Sequence, residues 1–215
     1  MPSYKATHIP YGITDLAKRT IVNPGIKDKV EFLKYGIETG GEHFSVRVLI
    51  NPGGGVPLHR HYGYGETLIP VEGTLGVVGY NGTKTMHLTP ASKETYQVQP
   101  GEWHRLFNPS QTENITLDAK VQPGHQGFEK SMHIFYGLVN DGHGTPEGFP
   151  DSMFHLLLLS ALGEVGYPGI GGWVMSLFAR MVGFIARVSG EEERLTVKYY
   201  GRPITEEERR KWKVE

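Results

Sequence analysis

Hydrophobic and polar residues alternate through the middle of the chain, and this pattern predicts short β-strands. Phe44, Val46 and Val48 alternate with Ser45 and Arg47. Such a period of two is typical of a strand with one buried face. Six further strands are predicted downstream, at Thr67–Val71, Thr74–Tyr80, Lys84–Leu88, Tyr96–Val98, Glu102–Phe107 and Ile115–Val121.

Turn signals separate these predicted strands. They are Glu72-Gly73, Asn81-Gly82, Pro100-Gly101 and Asn108-Pro109. Asn81-Gly82 is the strongest of them, because a type I′ hairpin turn needs positive φ at both central positions. Short strands at regular intervals, separated by such turn residues, indicate a sandwich or a barrel.

The pattern divides the chain into three parts. Residues 1–40 are predicted to form an N-terminal arm whose strands, at Thr20–Val22 and Val30–Ile37, join a barrel. Residues 41–124 are predicted to form the barrel core. Residues 125–215 are predicted to form a helical, apolar extension, so that the fold class is mostly β with C-terminal helices.

Within the extension the hydrophobic period changes. Phe128–Val139 fits a helix and a strand about equally well, whereas Met153–Leu162 is a dense apolar run. Near the C-terminus, Thr205 is the expected N-cap of a short helix, and Glu208 completes a capping box with it.

A second apolar run, Ile170–Val188, has the length needed to cross a bilayer. Arg180, Gly183 and Arg187 lie at i, i+3 and i+7 and would form a polar stripe on a helix. We therefore expect an amphipathic helix packed on the barrel or on a partner subunit. An interfacial membrane helix is the second interpretation, and a true span is the least favoured, because charge near the bilayer centre is costly.

Composition narrows the function classes. The chain has 215 residues, and its 22 basic and 23 acidic side chains give a formal net charge of −1, so a nucleic-acid partner is not expected. Cysteine is absent, which excludes disulfides, thiolate metal sites and cysteine nucleophiles. The first residues lack the apolar core of a secretory signal, so a cytoplasmic location, with possible membrane association, is expected.

The residues with the clearest chemical potential are two histidines two positions apart. Side chains at i and i+2 of a strand project to the same face, so His59 and His61 would converge on one point. Glu66 could re-enter from a neighbouring strand after the turn at residues 62–65, and His104 follows another turn. Three imidazoles and a carboxylate suit one divalent transition metal (Fe, Mn, Co, Ni, Zn or Cu).

These residues lie in motifs that resemble a known superfamily. The run Gly53-x5-His59-x-His61-x4-Glu66-x6-Gly73 resembles the first signature of the cupins, and Gly101-x2-His104-x3-Asn108 resembles the second half of the second. Two departures are visible in that second signature: Glu94 occupies the place of an upstream glycine, and Pro100 directly precedes Gly101. The resemblance implies a small jelly-roll barrel in which His59, His61, Glu66 and His104 are metal ligands.

Two function classes follow from this interpretation. The favoured one is a metal-dependent enzyme that acts on a small organic molecule inside the barrel: an oxygenase, or else an isomerase or cyclase. In it Glu66 would either bind the metal or detach to accept a proton, so it is the candidate catalytic residue. The other class is a non-catalytic small-molecule binding cupin. A homodimer is expected from the resemblance and from the apolar tail, which needs cover.

Overall fold

A computed structural model describes residues 4–214 of the chain. The strands are β1 His8–Pro10, β2 Thr20–Val22, β3 Lys29–Lys34, β4 Phe44–Ile50, β5 Arg60–His61, β6 Gly65–Glu72, β7 Leu75–Gly79, β8 Lys84–Leu88, β9 Tyr96–Val98, β10 Arg105–Phe107, β11 Ile115–Gln122, β12 Val165–Gly166 and β13 Gly201–Pro203. The helices are α1 Gln126–Asn140, α2 Met153–Leu162, α3 Gly169–Val188, α4 Glu191–Tyr199 and α5 Glu206–Trp212.

Two antiparallel sheets form the central part of the fold. One has six strands in the order β2-β3-β4-β11-β6-β9, and the other has three in the order β10-β7-β8. Inward side chains from both sheets, among them Val46, Leu68 and Leu117 of the larger and Leu75 and Val77 of the smaller, share one buried core. This alternation of buried and exposed positions is the pattern that predicted the strands.

The mostly β prediction does not hold for the whole chain. Helices account for 36% of the residues and strands for 30%, and the sheets do not close into a barrel. The physical reason lies in the extension, where α1 to α4 bury a second apolar cluster of their own around Ile134, Leu158 and Ala186. The β-rich part is limited to the residues from β2 to β11.

Several local predictions differ in detail from the structure. The segment predicted as Val30–Ile37 ends as a strand at Lys34, and Gly36–Thr39 forms a 3-10 helix whose Glu38 side chain accepts from the Tyr35 N–H. Phe128–Val139, left open between helix and strand, lies in α1. The hairpin at Asn81-Gly82 has the expected positive φ values (57° and 83°), but four residues rather than two separate the paired Gly79 and Lys84.

α3 packs on the protein along one side only. Its contacts are with α2, α4 and β12. By length and composition it is the one helix among the described residues that could cross a bilayer. The C-terminal α5 begins with the predicted capping box, in which the Glu208 N–H donates to Thr205 Oγ1 and the Thr205 N–H donates to Glu208 Oε2.

Candidate metal centre

Four short backbone segments bring the candidate ligands together. His59 and His104 form an isolated antiparallel bridge in which each N–H donates to the other's carbonyl, at 2.9 and 2.8 Å. His61 lies in β5, and the N–H of Gly101 donates to its carbonyl at 2.6 Å. Gly101 has φ +82°, a value that glycine adopts without strain and that turns the chain just before His104.

Glu66 comes from the opposite side, on β6 of the six-stranded sheet. Its neighbours in the sheet are Val98 and Val121. A carboxylate oxygen of Glu66 lies 3.3 Å from His61 Nε2, and the other lies 3.5 Å from His104 Nε2. The candidate ligand nitrogens of His59, His61 and His104 all lie within 4.8 Å of one another. The structure therefore brings all four predicted side chains to one point.

Hydrogen bonds behind the rings fix which nitrogen of each histidine is free. The Nδ1 atoms of His59 and His104 lie 2.8 and 3.0 Å from the carbonyl oxygens of Pro57 and Glu102. A carbonyl only accepts, so both Nδ1 atoms must carry the proton and donate. In the neutral rings the lone pairs are then on Nε2, which is the atom that faces the centre of the cluster.

His61 is held in the same tautomer by a tyrosine. Tyr64 Oη lies 2.6 Å from His61 Nδ1 and 2.6 Å from the carbonyl oxygen of Gly163. The single hydroxyl proton must go to the carbonyl, so the tyrosine oxygen accepts from His61 Nδ1–H. A hydrogen bond behind a ligating imidazole orients the ring and raises its basicity.

A divalent cation fits this arrangement. His59 Nε2 and His61 Nε2 lie 3.1 Å apart, and both are acceptors in the neutral rings. His104 Nε2 is buried and has no hydrogen-bond partner among residues 4–214. Buried lone pairs that converge without a donor are costly, and a bound cation satisfies them all at once. The cluster is therefore one that could hold a metal ion.

The electrostatics of the cluster differ from one side chain to the next. Burial would raise the pKa of Glu66, but His61 and His104 outweigh it and hold that pKa well below its usual range. Burial, together with the nearby His104 and His61, lowers the pKa of His59 to about 3, so this ring stays neutral. Burial would lower the pKa of His104, but Glu66 outweighs it and raises that pKa. Glu66 and His59 thus have the protonation states that metal binding requires, and a metal ion at this point would replace the proton that Glu66 favours on His104.

The cluster opens into a cavity of about 330 Å³ whose walls are mainly apolar. His59, His61 and Glu66 line it. The sheet contributes Val30, Phe44, Val46, Val48, Ile50, Leu117, Ala119 and Val121, and the helices contribute Phe128, Met132, Phe135, Leu156 and Leu159. The volume falls in the range of small-molecule sites, which are mostly apolar with a few polar groups.

Two polar side chains of this cavity come from segments outside the motifs. Asp28 precedes β3, and Tyr136 lies on α1. Burial raises the pKa of Asp28, and burial together with the nearby Asp28 raises the pKa of Tyr136. An acid and a phenol close together in an apolar cavity can bind a polar substituent of a ligand. Neither residue was predicted, because no sequence spacing links them to the histidines.

The C-terminal extension closes one wall of the site. β12 pairs with β5, placing Val165 opposite His61, and Gly163 accepts the hydrogen bond from Tyr64. α1 and α2 supply apolar side chains to the cavity. The candidate ligands therefore all lie in the first half of the chain, whereas both halves contribute to the cavity that they face.

The residues that flank the ligands have structural roles. Arg60 lies over the rings of Trp103 and Tyr62, at 4.4 and 4.7 Å from their centroids. Glu102 accepts from the N–H groups of Tyr80 and Gln99, which shapes the turn before His104. Both side chains stabilise the loops that carry the ligands.

No protein-family model matches the sequence, and no curated protein matches it. Among solved structures, the chain is similar to a conserved protein with a double-stranded β-helix domain from Klebsiella pneumoniae, at 20% identity and a TM-score of 0.37. That match covers 44% of this chain and 75% of the other.

Two further solved structures show a similar degree of likeness. A sugar phosphate isomerase of the cupin superfamily from Silicibacter pomeroyi is 20% identical with a TM-score of 0.38, over 46% of this chain and 62% of the other. A polyketide cyclase from Streptomyces resistomycificus is 19% identical with a TM-score of 0.39, over 46% and 68%. The neighbours include cupin and double-stranded β-helix proteins. The likeness covers under half of this chain, and no activity follows from it.

Proposed function

We propose that this protein is a metal-dependent enzyme that acts on a small, largely apolar organic molecule, and that its reaction is an oxygenation. The observation that carries the proposal is the convergence of three Nε2 atoms and one carboxylate on the wall of an apolar cavity. A merely structural metal site is normally closed by its ligands, whereas a catalytic one keeps an open position.

His59, His61 and His104 would hold the metal through Nε2, and Glu66 would complete the set. When bound, a divalent transition metal supplies a Lewis acid with open positions for substrate or oxygen. In the described part of the chain, Glu66 is the one acid whose carboxylate contacts the three clustered histidines, and it is ionised at neutral pH. It is therefore the group placed to accept a proton from a substrate held against the cavity wall.

The rest of the cavity would bind and orient the substrate. Its apolar walls favour an aromatic or aliphatic body and exclude water from the reacting atoms. Asp28 and Tyr136 would bind a hydroxyl or carbonyl substituent of that body. A phenol or an enol with a hydrocarbon frame has this combination of properties.

The test is oxygen uptake by the purified protein, loaded with Fe(II), on a panel of phenols and enols. We expect consumption of oxygen with at least one apolar member of the panel, and loss of at least 100-fold in kcat/KM in Glu66→Gln. His87→Ala is the matched control, because His87 is exposed on β8 and away from the cluster. Tight binding of panel members without turnover would favour the non-catalytic binding protein instead.

A further inference from the structure

The inner side of α3 is held firmly by the protein itself. Its buried residues have small side chains or none: Gly172, Ala179, Val182, Gly183 and Ala186. A Cβ added at Gly183 would lie 3.0 Å from Ala161 Cβ of α2, so the two helices approach closely at this point. The orientation of α3 on the domain is therefore fixed by packing within one chain.

The opposite side of α3 is apolar and faces water. Six of its residues follow the spacing 4-3-4-3-4, which is the seven-residue repeat of a coiled-coil seam. They are Ile170, Val174, Leu177, Met181, Phe184 and Val188, and they are between 37% and 85% exposed. We call these six residues the α3 seam.

Large apolar side chains flank the α3 seam on one edge and arginines on the other. Phe178 and Ile185 lie on the first edge and are 48% and 45% exposed. Trp173, Arg180 and Arg187 lie on the second. The two arginines face a groove that Glu164 also lines, and Arg187 Nε is 3.5 Å from a carboxylate oxygen of Glu192. The charged groups of Arg180 and Arg187 therefore lie beside the α3 seam and not on it. No acidic residue lies on α3.

We propose that the α3 seam pairs with the α3 seam of a second copy of this chain, in antiparallel orientation, around a twofold axis near Ala179. In this register Ile170 meets Val188 of the second copy. In the same way Val174 meets Phe184 and Leu177 meets Met181. Each pair occurs twice, as an isologous interface requires. The three pairs therefore form six layers of facing side chains. All six layers are apolar, so the seam is complementary to a second copy of itself.

The exposed area of the α3 seam and the residues along its edges favour a second copy of this chain as the partner. The seam and its apolar flanks expose on the order of 1,000 Å² per chain, which exceeds the ~800 Å² that each partner contributes to a standard interface. A bilayer requires an apolar face but no seven-residue repeat. The antiparallel arrangement also opposes the two helix dipoles and places Trp173 across from Arg187 of the second copy, in reach of a cation–π contact.

The orientation can be tested by cross-linking because the chain has no cysteine of its own. Residues 170 and 188 lie about 27 Å apart on one helix, so no bond can form between them within a chain. We expect that oxidation of a mixture of Ile170→Cys and Val188→Cys proteins yields the mixed covalent dimer, whereas neither variant alone cross-links. Self-cross-linking of Ile170→Cys alone would show a parallel pair and overturn the proposal.

Association is measured on the full-length protein by analytical ultracentrifugation without detergent. We expect a dimer at micromolar concentration, and at least a 30-fold increase in dissociation constant in Leu177→Glu. The control is Leu16→Glu, which adds the same charge at an apolar position that is 72% exposed elsewhere. A monomer at all concentrations would overturn the proposal. Co-sedimentation of a monomer with phosphatidylcholine–phosphatidylglycerol vesicles would also overturn it, in favour of a membrane surface.

Discussion

The Nε2 atoms of His59 and His61 lie 3.1 Å apart, and hydrogen bonds at the far side of each ring leave both atoms without a proton in the neutral state. Two lone pairs at this distance repel each other unless a cation lies between them. His104 Nε2, buried and unpartnered, points to the same place. These three nitrogen atoms form an arrangement that could hold a metal ion.

Replacing Tyr64 by phenylalanine tests the support behind His61. Without the hydroxyl, His61 Nδ1–H and the Gly163 carbonyl both lose their buried partner, which costs about 1–3 kcal/mol of stability. Loss of such an outer hydrogen bond also weakens metal binding by roughly 10–100-fold. We expect this range for Tyr64→Phe in a competition titration with a metal chelator.

The matched control for that variant is Tyr62→Phe. Tyr62 is 44% exposed, and its hydroxyl accepts from Arg60 rather than contacting a ligand. Its metal affinity should stay within about twofold of wild type. Equal losses in the two variants would mean that the hydroxyl of Tyr64 has no specific effect on His61.

A cavity-filling substitution tests where the substrate binds. Ala119, on β11, is 8% exposed and lines the cavity, so a phenyl ring at this position would occupy part of the space. We expect Ala119→Phe to weaken the binding of 1-naphthol at least tenfold in isothermal titration calorimetry while metal content stays unchanged. Ala91→Phe, at an exposed position, is the control. Unchanged affinity in Ala119→Phe would place the ligand outside the cavity.

The pH dependence of stability is expected to follow a carboxyl group outside the candidate metal centre. Glu129 on α1 is fully buried, where it accepts from the Gly36 N–H and the Tyr200 hydroxyl. Burial raises its pKa to about 7, although the two hydrogen bonds act in the opposite direction. As the pH rises, the unfolded chain loses this proton near pH 4.5, whereas the folded state keeps it up to about pH 7.

The stability contributed by this proton is complete below pH 4.5 and is lost as the pH rises through 7. We expect the free energy of unfolding of wild type to fall by about 3 kcal/mol between these limits relative to Glu129→Gln. Urea denaturation of both proteins at pH 4.5 and pH 8 measures the difference. Glu207→Gln, at an exposed position, should track wild type, and parallel curves for wild type and Glu129→Gln would contradict the expectation.

The bounds of three strands were predicted to the residue. β2, β8 and β9 begin and end at the predicted residues, because alternation and turn residues act locally. The sheet order could not be predicted, since the pairing of β11 with both β4 and β6 depends on contacts between distant segments.

In the candidate site, too, local sequence patterns were predictive and contacts between distant segments were not. Strand alternation brought His59 and His61 to one face from the sequence alone, and motif spacing added Glu66 and His104. Tyr64, whose hydroxyl lies behind His61, was not among the predicted site residues. Its second contact, Gly163, lies 99 residues further along the chain, and no local pattern could reveal it. The assignment of the four residues as ligands remains a prediction.

Metal content of the purified protein tests the central claim most directly. Mass spectrometry of protein expressed without added metal, and then dialysed against one equivalent of Fe(II), Mn(II), Ni(II) or Zn(II), should give about one ion per chain. That stoichiometry should fall at least tenfold in His59→Ala and in His104→Ala but not in His87→Ala. Equal metal content in all four proteins, or no bound metal in wild type under any loading condition, would contradict the account.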